Sequence, residues 1–124
     1  MDQSIITIGA TFGALAVIFG AFGAHALKKI MNEEQLKNYE TGVKYQMYHA
    51  IVLLIIGFNS DSVPVYQNIM VNSFIIGIIL FSFSIYGLSI SAALNKKISL
   101  LGPVTPIGGL LLVLGWILLI WNFL

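Results

Sequence analysis

The sequence predicts an all-α, polytopic membrane protein in which four transmembrane helices form an up-down antiparallel bundle. Hydrophobic residues make up 58% of the 124 positions and charged residues only 9%, whereas about a quarter of the residues of soluble domains are charged. Apolar segments recur along the chain, and a segment of roughly 20 residues crosses the hydrocarbon core. Short connections between them make consecutive helices antiparallel. Because no linker rich in Pro, Ser or Gly divides the chain, we expect one domain over residues 1–124.

The predicted helices cover approximately residues 4–27, 33–59, 68–94 and 105–124. The first carries no formal charge before the lysines at its end. Its last residues, Ala24-His25-Ala26, resemble a signal-peptide cleavage site, but the apolar run exceeds the roughly 7–15 residues of a signal peptide. We therefore expect this segment to be a true transmembrane span.

The first helix carries two stripes of small residues on nearly opposite faces, and small residues let membrane helices approach closely. One stripe, with spacings of four and three, consists of Gly9, Gly13, Ala16, Gly20 and Gly23. The other consists of Thr7, Thr11, Ala14, Ile18, Ala21 and His25. Each stripe is expected to contact a neighbouring helix. The bulky residues between them are expected to face lipid, namely Phe12, Leu15, Phe19 and Phe22.

The second helix begins with polar residues before it becomes apolar. Asn32 and Gln35 have the spacing of a capping box. Residues 33–44 combine charges with one apolar face, which predicts a short amphipathic segment near the membrane surface. We expect the chain to bend at Gly42 and then enter the membrane.

The fourth helix is expected to have Thr105 as its N-cap and Pro106 as its first helical residue, where a missing N–H does no harm. Gly108 and Gly115 predict a close helix contact along one face. Trp116 falls near mid-depth and therefore needs a partner for its indole N–H.

The charged residues predict the orientation of the chain. All six lysines lie in two polar stretches, residues 28–44 and 95–104: Lys28, Lys29, Lys37, Lys44, Lys96 and Lys97. Positive residues stay cytoplasmic, so residues 28–44 and 95–104 should face the cytoplasm. Both chain ends should be extracytoplasmic, in a multi-pass protein of the cell (inner) membrane.

Composition also excludes several classes of partner and site. The net charge of +1 says nothing about nucleic acid, but the sequence has no basic tract that could bind it, so we predict no nucleic-acid partner. The chain has no cysteine, so it has neither disulfides nor a thiolate metal site, and we predict no metal site.

Polar side chains concentrate in the predicted cytoplasmic half of the membrane. This candidate ligand-binding cluster consists of His25, Tyr45, Gln46, His49, Ser82, Ser84, Tyr86 and Thr105. Histidines inside spans are rare and often functional, but interhelical hydrogen bonds of this kind also serve packing. Both interpretations stay open at this point, as does whether His25 and His49 touch.

Three functional classes compete for the cluster. A lipid or small ligand would find partial positive charge at the start of the fourth helix and lysines at the cytoplasmic surface. A haem would need both His25 and His49 as axial ligands, and Tyr86 with Ser82 would suit a quinone. Catalysis would need a triad of His49, a serine and Glu40. Because no nucleophile elbow or HExxH motif is present, we predict no catalytic residues, and the cofactor stays unknown.

Four segments carry a resemblance to a known family: GAFGAHAL, YETGVKYQMYHAIVLL, FSFSIYGL and GPVTPIGGLLLVLGW. In this order, over nearly the whole chain, they resemble the YgdD/YwdK-like family of small bacterial membrane proteins. The resemblance implies four transmembrane helices and an inner-membrane location, and it implies no activity because the family is uncharacterised. This chain has FSFSIY where the family usually has FSGSLY, so Phe83 fills space that glycine leaves open.

Together these observations favour an assembly or accessory role in the membrane. One small-residue face of the first helix would serve the bundle, and the other would contact a second copy or another membrane protein. The alternative is a binding site for a lipid or small hydrophobic ligand, such as haem or quinone, in the polar cluster. The expected partners are therefore the lipid bilayer and other membrane helices.

Overall fold

The computed structural model describes residues 1–62 and 67–124, and this part of the chain folds into four long helices without strands. They are α1 (Gln3–His25), α2 (Glu33–Phe58), α3 (Gln67–Ala93) and α4 (Val104–Asn122). Short 3₁₀ turns lie at Leu27–Lys29, Ser60–Ser62 and Ser99–Leu101. The predicted all-α class with four helices is confirmed, and helix ends differ from the prediction by at most two residues.

Neighbouring helices are antiparallel, because the residues in contact run in opposite directions along each pair. The contacts that show this are Gly9 with Leu53 and Gly23 with Tyr39, Gly42 with Tyr86 and His49 with Phe74, and Phe74 with Gly115 and Phe81 with Gly108. At one end of the bundle, the Asp2 N–H donates to the Gly57 carbonyl oxygen over 2.8 Å. At the same end, Asn122 Nδ2 donates to the Ser62 carbonyl oxygen over 3.3 Å.

Three helices in the described ranges are long and apolar enough to cross a membrane: Gln3–Lys29, Gln67–Ala93 and Ser99–Asn122. Helix α2 is not among them. Its first half carries the charged residues Glu33, Glu34, Lys37, Glu40 and Lys44. The fourth crossing by α2 therefore stays a prediction.

The glycine stripe of α1 faces α2 of the same chain. A methyl group added at Gly9 would lie 3.1 Å from the Ala50 carbonyl oxygen, and one added at Gly23 would lie 2.6 Å from the Tyr39 ring. Ala16, in the same stripe, is buried. Close approach of α1 and α2 thus depends on the small residues at these positions.

The other faces of α1 differ from expectation. Phe12 is buried and Phe19 half-buried, and both rings pack against Phe83 of α3, so the expectation that they face lipid is wrong. The second stripe meets no neighbouring helix, and all six of its members are exposed: Thr7, Thr11, Ala14, Ile18, Ala21 and His25. The physical reason is that α1 lies at the edge of the bundle, with α2 and the rings of α3 on one side only.

Helix α2 begins with the predicted capping box, in which Asn32 Oδ1 accepts the Gln35 N–H and Gln35 Oε1 accepts the Asn32 N–H. The helix continues through Gly42 without a break, so Gly42 does not end it, and a bend at this position stays a prediction. Gly42 instead lets α3 come close, because an added methyl group would lie 2.8 Å from the Tyr86 ring.

Helix α3 contains a π-helical segment, Ile79–Phe83, between two α-helical parts. No pattern in the sequence predicts this segment. The wider turn adds one residue and rotates the second part of the helix by about 100° relative to the first. The Phe81 backbone in this segment contacts Gly108 of α4 so closely that no side chain fits there, and Gly115 lies against the Phe74 ring.

Helix α4 begins at Val104, with Pro103 in the N-cap position and no side chain that caps it. Thr105 is therefore not the N-cap, and Pro106 is the third helical residue and not the first. Proline is tolerated throughout the first turn because the N–H groups there have no intrahelical partner. The Thr105 hydroxyl bonds to α3 instead.

Candidate functional site

A glutamine and a tyrosine form the buried centre of the predicted polar cluster. Gln46 on α2 is 0% exposed. Its Oε1 accepts a hydrogen bond from the Tyr86 hydroxyl on α3 over 2.6 Å. Its Nε2 donates to the Phe12 carbonyl oxygen on α1 over 2.8 Å. Because an unpaired amide is strongly unfavourable away from water, these two bonds hold three helices in one register.

Two further hydroxyl groups reach backbone carbonyls of neighbouring helices. Ser82 Oγ on α3 donates to the Gly42 carbonyl oxygen over 2.7 Å, and the Tyr39 hydroxyl on α2 donates to the Phe19 carbonyl oxygen over 2.6 Å. The Phe83 ring fills the space between α1 and α3, with its centroid 6.2 Å from that of Phe19. The rings of Phe19, Tyr39 and Phe83 also pack against the ring of Tyr86, beside its buried hydrogen bond.

His49 links α2 to α4. Trp116 Nε1 donates to His49 Nε2 over 3.1 Å, and His49 Nδ1 lies 2.6 Å from the Tyr45 carbonyl oxygen. An indole N–H only donates and a carbonyl only accepts. Neutral His49 therefore carries its proton on Nδ1, and the indole of Trp116 has the partner that its depth requires.

The last polar bond joins α3 to α4 at the start of α4. Ser84 Oγ lies 2.6 Å from Thr105 Oγ1 and donates to the Phe81 carbonyl oxygen over 2.9 Å. A hydroxyl has a single proton, so Thr105 donates to Ser84.

Two predicted members lie outside this network. His25 is exposed, and its side chain makes no hydrogen bond within residues 1–62 and 67–124. Ala50, next to His49, packs beside Gly13, and His25 lies further along α1 by about 18 Å at a rise of about 1.5 Å per residue. His25 and His49 therefore do not touch and cannot hold one haem iron between them. Tyr45 is 41% exposed and takes part through its carbonyl oxygen.

The buried polar atoms of this network already have hydrogen-bond partners within the protein. In the described ranges, every fully enclosed side-chain nitrogen or oxygen has a hydrogen-bond partner. No group of three or more His, Cys, Asp or Glu residues in these ranges could hold a metal ion. The triad with Glu40 does not form, because both nitrogens of His49 are occupied and the hydroxyls of Ser82 and Ser84 bond elsewhere.

Two contributors to the network are not among the residues predicted from the sequence. Tyr39 lies on the apolar face of α2, where a phenol hydroxyl needs a partner, and this signal was available. Gly42 contributes its carbonyl oxygen as an acceptor. Its role depends on which helix packs beside it, which no local sequence signal gives.

Comparison with known proteins places these residues in a family. A family model described as a protein of unknown function (DUF423) matches residues 19–109. The UPF0382 membrane protein YwdK of Bacillus subtilis (strain 168) is 38% identical over 117 residues, which cover 93% of this chain and 91% of the relative.

Two other relatives are similar over almost their full length. The UPF0382 membrane protein SAB0533 of Staphylococcus aureus (strain bovine RF122 / ET3-1) is 42% identical over 115 residues, with 93% of this chain and 90% of the relative covered. A UPF0382 membrane protein of Haemophilus influenzae is 35% identical over 122 residues, with 98% and 94% covered. No solved structure matches this chain. The chain therefore belongs to the DUF423 family and is an integral membrane protein similar to the UPF0382 membrane proteins.

Proposed function

We propose that this protein is an accessory membrane protein that assembles through the outer face of α1, with a second copy of itself as the first candidate partner and another membrane protein as the second. The observation that carries the proposal is the exposure of the whole second stripe of α1, from Thr7 to His25. Small residues at helical spacing let another helix approach closely, which is how helices associate in lipid.

The hydrogen bonds of this face suit a helix contact. The Thr7 and Thr11 hydroxyls donate to carbonyl oxygens of α1 itself, at Gln3 and Thr7, over 2.8 Å each. These two threonines therefore expose no unpaired hydroxyl proton to lipid, and a partner helix can pack on this face without leaving either hydroxyl unbonded. The opposite, glycine-bearing face is already occupied by α2, so a partner has to use the outer one.

The proposal includes the arrangement of the chain in the membrane. All four helices form one unit and cross the cell (inner) membrane, with residues 45–58 as the apolar part of the crossing by α2. Residues 28–44 and 95–104 are cytoplasmic, and both chain ends are extracytoplasmic. The positions of the lysines support this orientation.

The polar cluster serves, in this proposal, to hold the helices together. The central side chains of the cluster already have partners within the protein. Gln46 bonds to Tyr86, His49 bonds to Trp116, and Ser82 bonds to the Gly42 carbonyl oxygen. These bonds disfavour a lipid, quinone or haem bound within the cluster. Because the bonds of the cluster hold α1 against α2, the outer face of α1 is rigid when a partner helix contacts it.

Site-specific photo-crosslinking in the native membrane tests the proposal. The photoreactive residue p-benzoylphenylalanine replaces Ala14 on the outer face of α1, and in a matched control it replaces Leu110, a lipid-exposed residue of α4. We expect a discrete crosslinked product from position 14 and none from position 110. A product of twice the chain's mass identifies a second copy, and another mass identifies a different membrane protein. The absence of any product specific to position 14 would overturn the proposal.

A further inference from the structure

A polar groove opens between the first turns of α2, the end of α3 and the start of α4. It consists of two adjoining cavities of about 420 and 360 Å³. The two cavities share four lining residues, which are Asn38, Leu88, Ser89 and Gly102. The groove lies at the end of the bundle that carries the lysines, and it is separate from the outer face of α1 on which the proposed function depends.

Ser89 is the unusual residue of this groove. It is only 5% exposed, yet its hydroxyl makes no hydrogen bond within the described ranges. The other buried serines, Ser73, Ser82, Ser84 and Ser91, all donate to a carbonyl oxygen. Every fully enclosed polar side-chain atom in these ranges has a partner. Since Ser89 Oγ has none, it is not fully enclosed, and a small molecule can reach it from the groove that Ser89 lines. A buried hydroxyl kept without a partner points to a ligand.

The groups around Ser89 are predominantly hydrogen-bond donors. Asn32 and Gln35 use their side-chain oxygens in the capping box, so their NH₂ groups are left to donate. Lys97 adds a positive charge to the lining. Helix α4 has no side chain that caps its N-terminus, and Thr105 of its first turn lines the groove. Uncapped helix N-termini favour anions.

We infer that this groove binds a phosphate group, either as the headgroup of an anionic phospholipid or as free phosphate. Donors from Ser89, Asn32 and Gln35 would surround the phosphate oxygens, with Lys97 and the start of α4 supplying positive charge. Leu88 gives the lining an apolar portion that suits the first carbons of a lipid's acyl chain. Glu34 is the only carboxylate among the described lining residues, and it opposes an anion.

Thermal unfolding of the purified full chain in detergent micelles tests the inference. The probes are inorganic phosphate, a short-chain phosphatidylglycerol and a diacylglycerol with the same acyl chains but no phosphate. We expect a phosphate-bearing probe to raise the unfolding temperature and the diacylglycerol to leave it unchanged. Protection by inorganic phosphate identifies free phosphate as sufficient, whereas protection by phosphatidylglycerol alone identifies the lipid headgroup.

Variants separate a binding site from general stabilisation by lipid. Ser89→Ala and Lys97→Gln should each weaken the apparent affinity by about tenfold or more, since hydrogen bonds to a charged group are strong. Glu34→Gln should strengthen it. The matched control is Ser73→Ala, because Ser73 is also 5% exposed but bonds to the Ile69 carbonyl oxygen of its own helix, and it should leave the affinity unchanged.

Two results would overturn the inference. One is that no phosphate-bearing probe protects the wild-type protein. The other is equal affinity in the wild-type protein and Lys97→Gln, a variant of an exposed residue whose folding should be unaffected. Without ligand, Ser89→Ala should unfold at the same temperature as the wild-type protein or higher, because it removes a buried hydroxyl that has no partner.

Discussion

The indole N–H of Trp116 donates to Nε2 of His49 across 3.1 Å, and this bond joins the helix whose membrane crossing is least evident from the sequence, α2, to the strongly apolar α4. The same imidazole reaches back to the Tyr45 carbonyl oxygen. His49 is thus a fixed bridge between helices, with both nitrogens occupied.

Replacement of Trp116 by phenylalanine keeps an aromatic ring and removes the donor. We expect Trp116→Phe to lower the free energy of unfolding by about 1 kcal/mol, because His49 Nε2 is left without a partner in a buried position. Unfolding in mixed detergent micelles measures the change. Trp121→Phe is the control, since Trp121 is also exposed but its indole makes no hydrogen bond in the described ranges, and equal effects of the two substitutions would contradict the role given to the bond.

The tautomer of His49 is a second expected outcome. Nitrogen NMR of the protein labelled at histidine should show that His49 is protonated at Nδ1 and unprotonated at Nε2, because Trp116 can only donate and the Tyr45 carbonyl can only accept. In Trp116→Phe the Nε2 signal should shift, since its hydrogen bond is gone. A signal from an Nε2–H tautomer in the wild-type protein would show the assignment to be wrong.

Adjacent glycines in α4 should respond in opposite ways to alanine. Gly108→Ala places a methyl group against the Phe81 backbone, and overpacking of this kind destabilises by about 1–3 kcal/mol. At Gly109 the added methyl group would lie 3.5 Å from the Phe81 ring, an ordinary contact. Gly109→Ala should therefore stabilise the helix by about 0.5–1 kcal/mol. Unfolding free energies of the two variants check this, and similar values would argue against the close contact at Gly108.

Removal of the Tyr86 hydroxyl should destabilise the centre of the bundle. Tyr86→Phe leaves the buried Gln46 Oε1 unpaired, which costs about 1–3 kcal/mol. Tyr48→Phe, at an exposed position with no hydrogen bond in the described ranges, should change the unfolding free energy by less than about 0.5 kcal/mol. The double-mutant cycle of Tyr86→Phe with Gln46→Met should give a coupling energy clearly different from zero.

The membrane crossing by α2 can be tested directly, because the chain has no cysteine of its own. Lys29→Cys and Asp61→Cys place single thiols on either side of α2. We expect Lys29→Cys to be labelled only from the cytoplasmic side by a membrane-impermeant maleimide, and Asp61→Cys only from the outside. Labelling of both from one side would mean that α2 does not cross.

Much of the fold can be predicted from patterns within single helices. The four helices are indicated by apolar segments of suitable length, and the start of α2 by the spacing of Asn32 and Gln35, because these are local signals. The positions of the predicted helices also place six polar residues at similar depth, and the structure brings their side chains into contacts between helices: Gln46, His49, Ser82, Ser84, Tyr86 and Thr105.

The partners of those side chains were less predictable, because periodicity defines a helix face but not the helix that packs on it. Phe12 was expected to face lipid, and it is buried because α3 reaches that side of α1 through the Phe83 ring. His25 shares a helix face with small residues, but that face is open. The π-helical segment contains no proline or other local breaker that would indicate it, and its Phe81 backbone lies against Gly108 on another helix, which no pattern within α3 gives.

The π-helical segment at Ile79–Phe83 also affects which changes in length α3 can accept. Removal of one residue there would restore a regular α-helix and turn the half from Ser84 to Ala93 by about 100° relative to the half from Gln67 to Ile78. Tyr86 would then lose Gln46, and Ser89 would leave the groove, although every residue type in both halves was unchanged. Relatives that lack this one residue would need a compensating insertion nearby. The number of residues in this part of α3 is therefore as important for the packing of the helix as the identity of those residues.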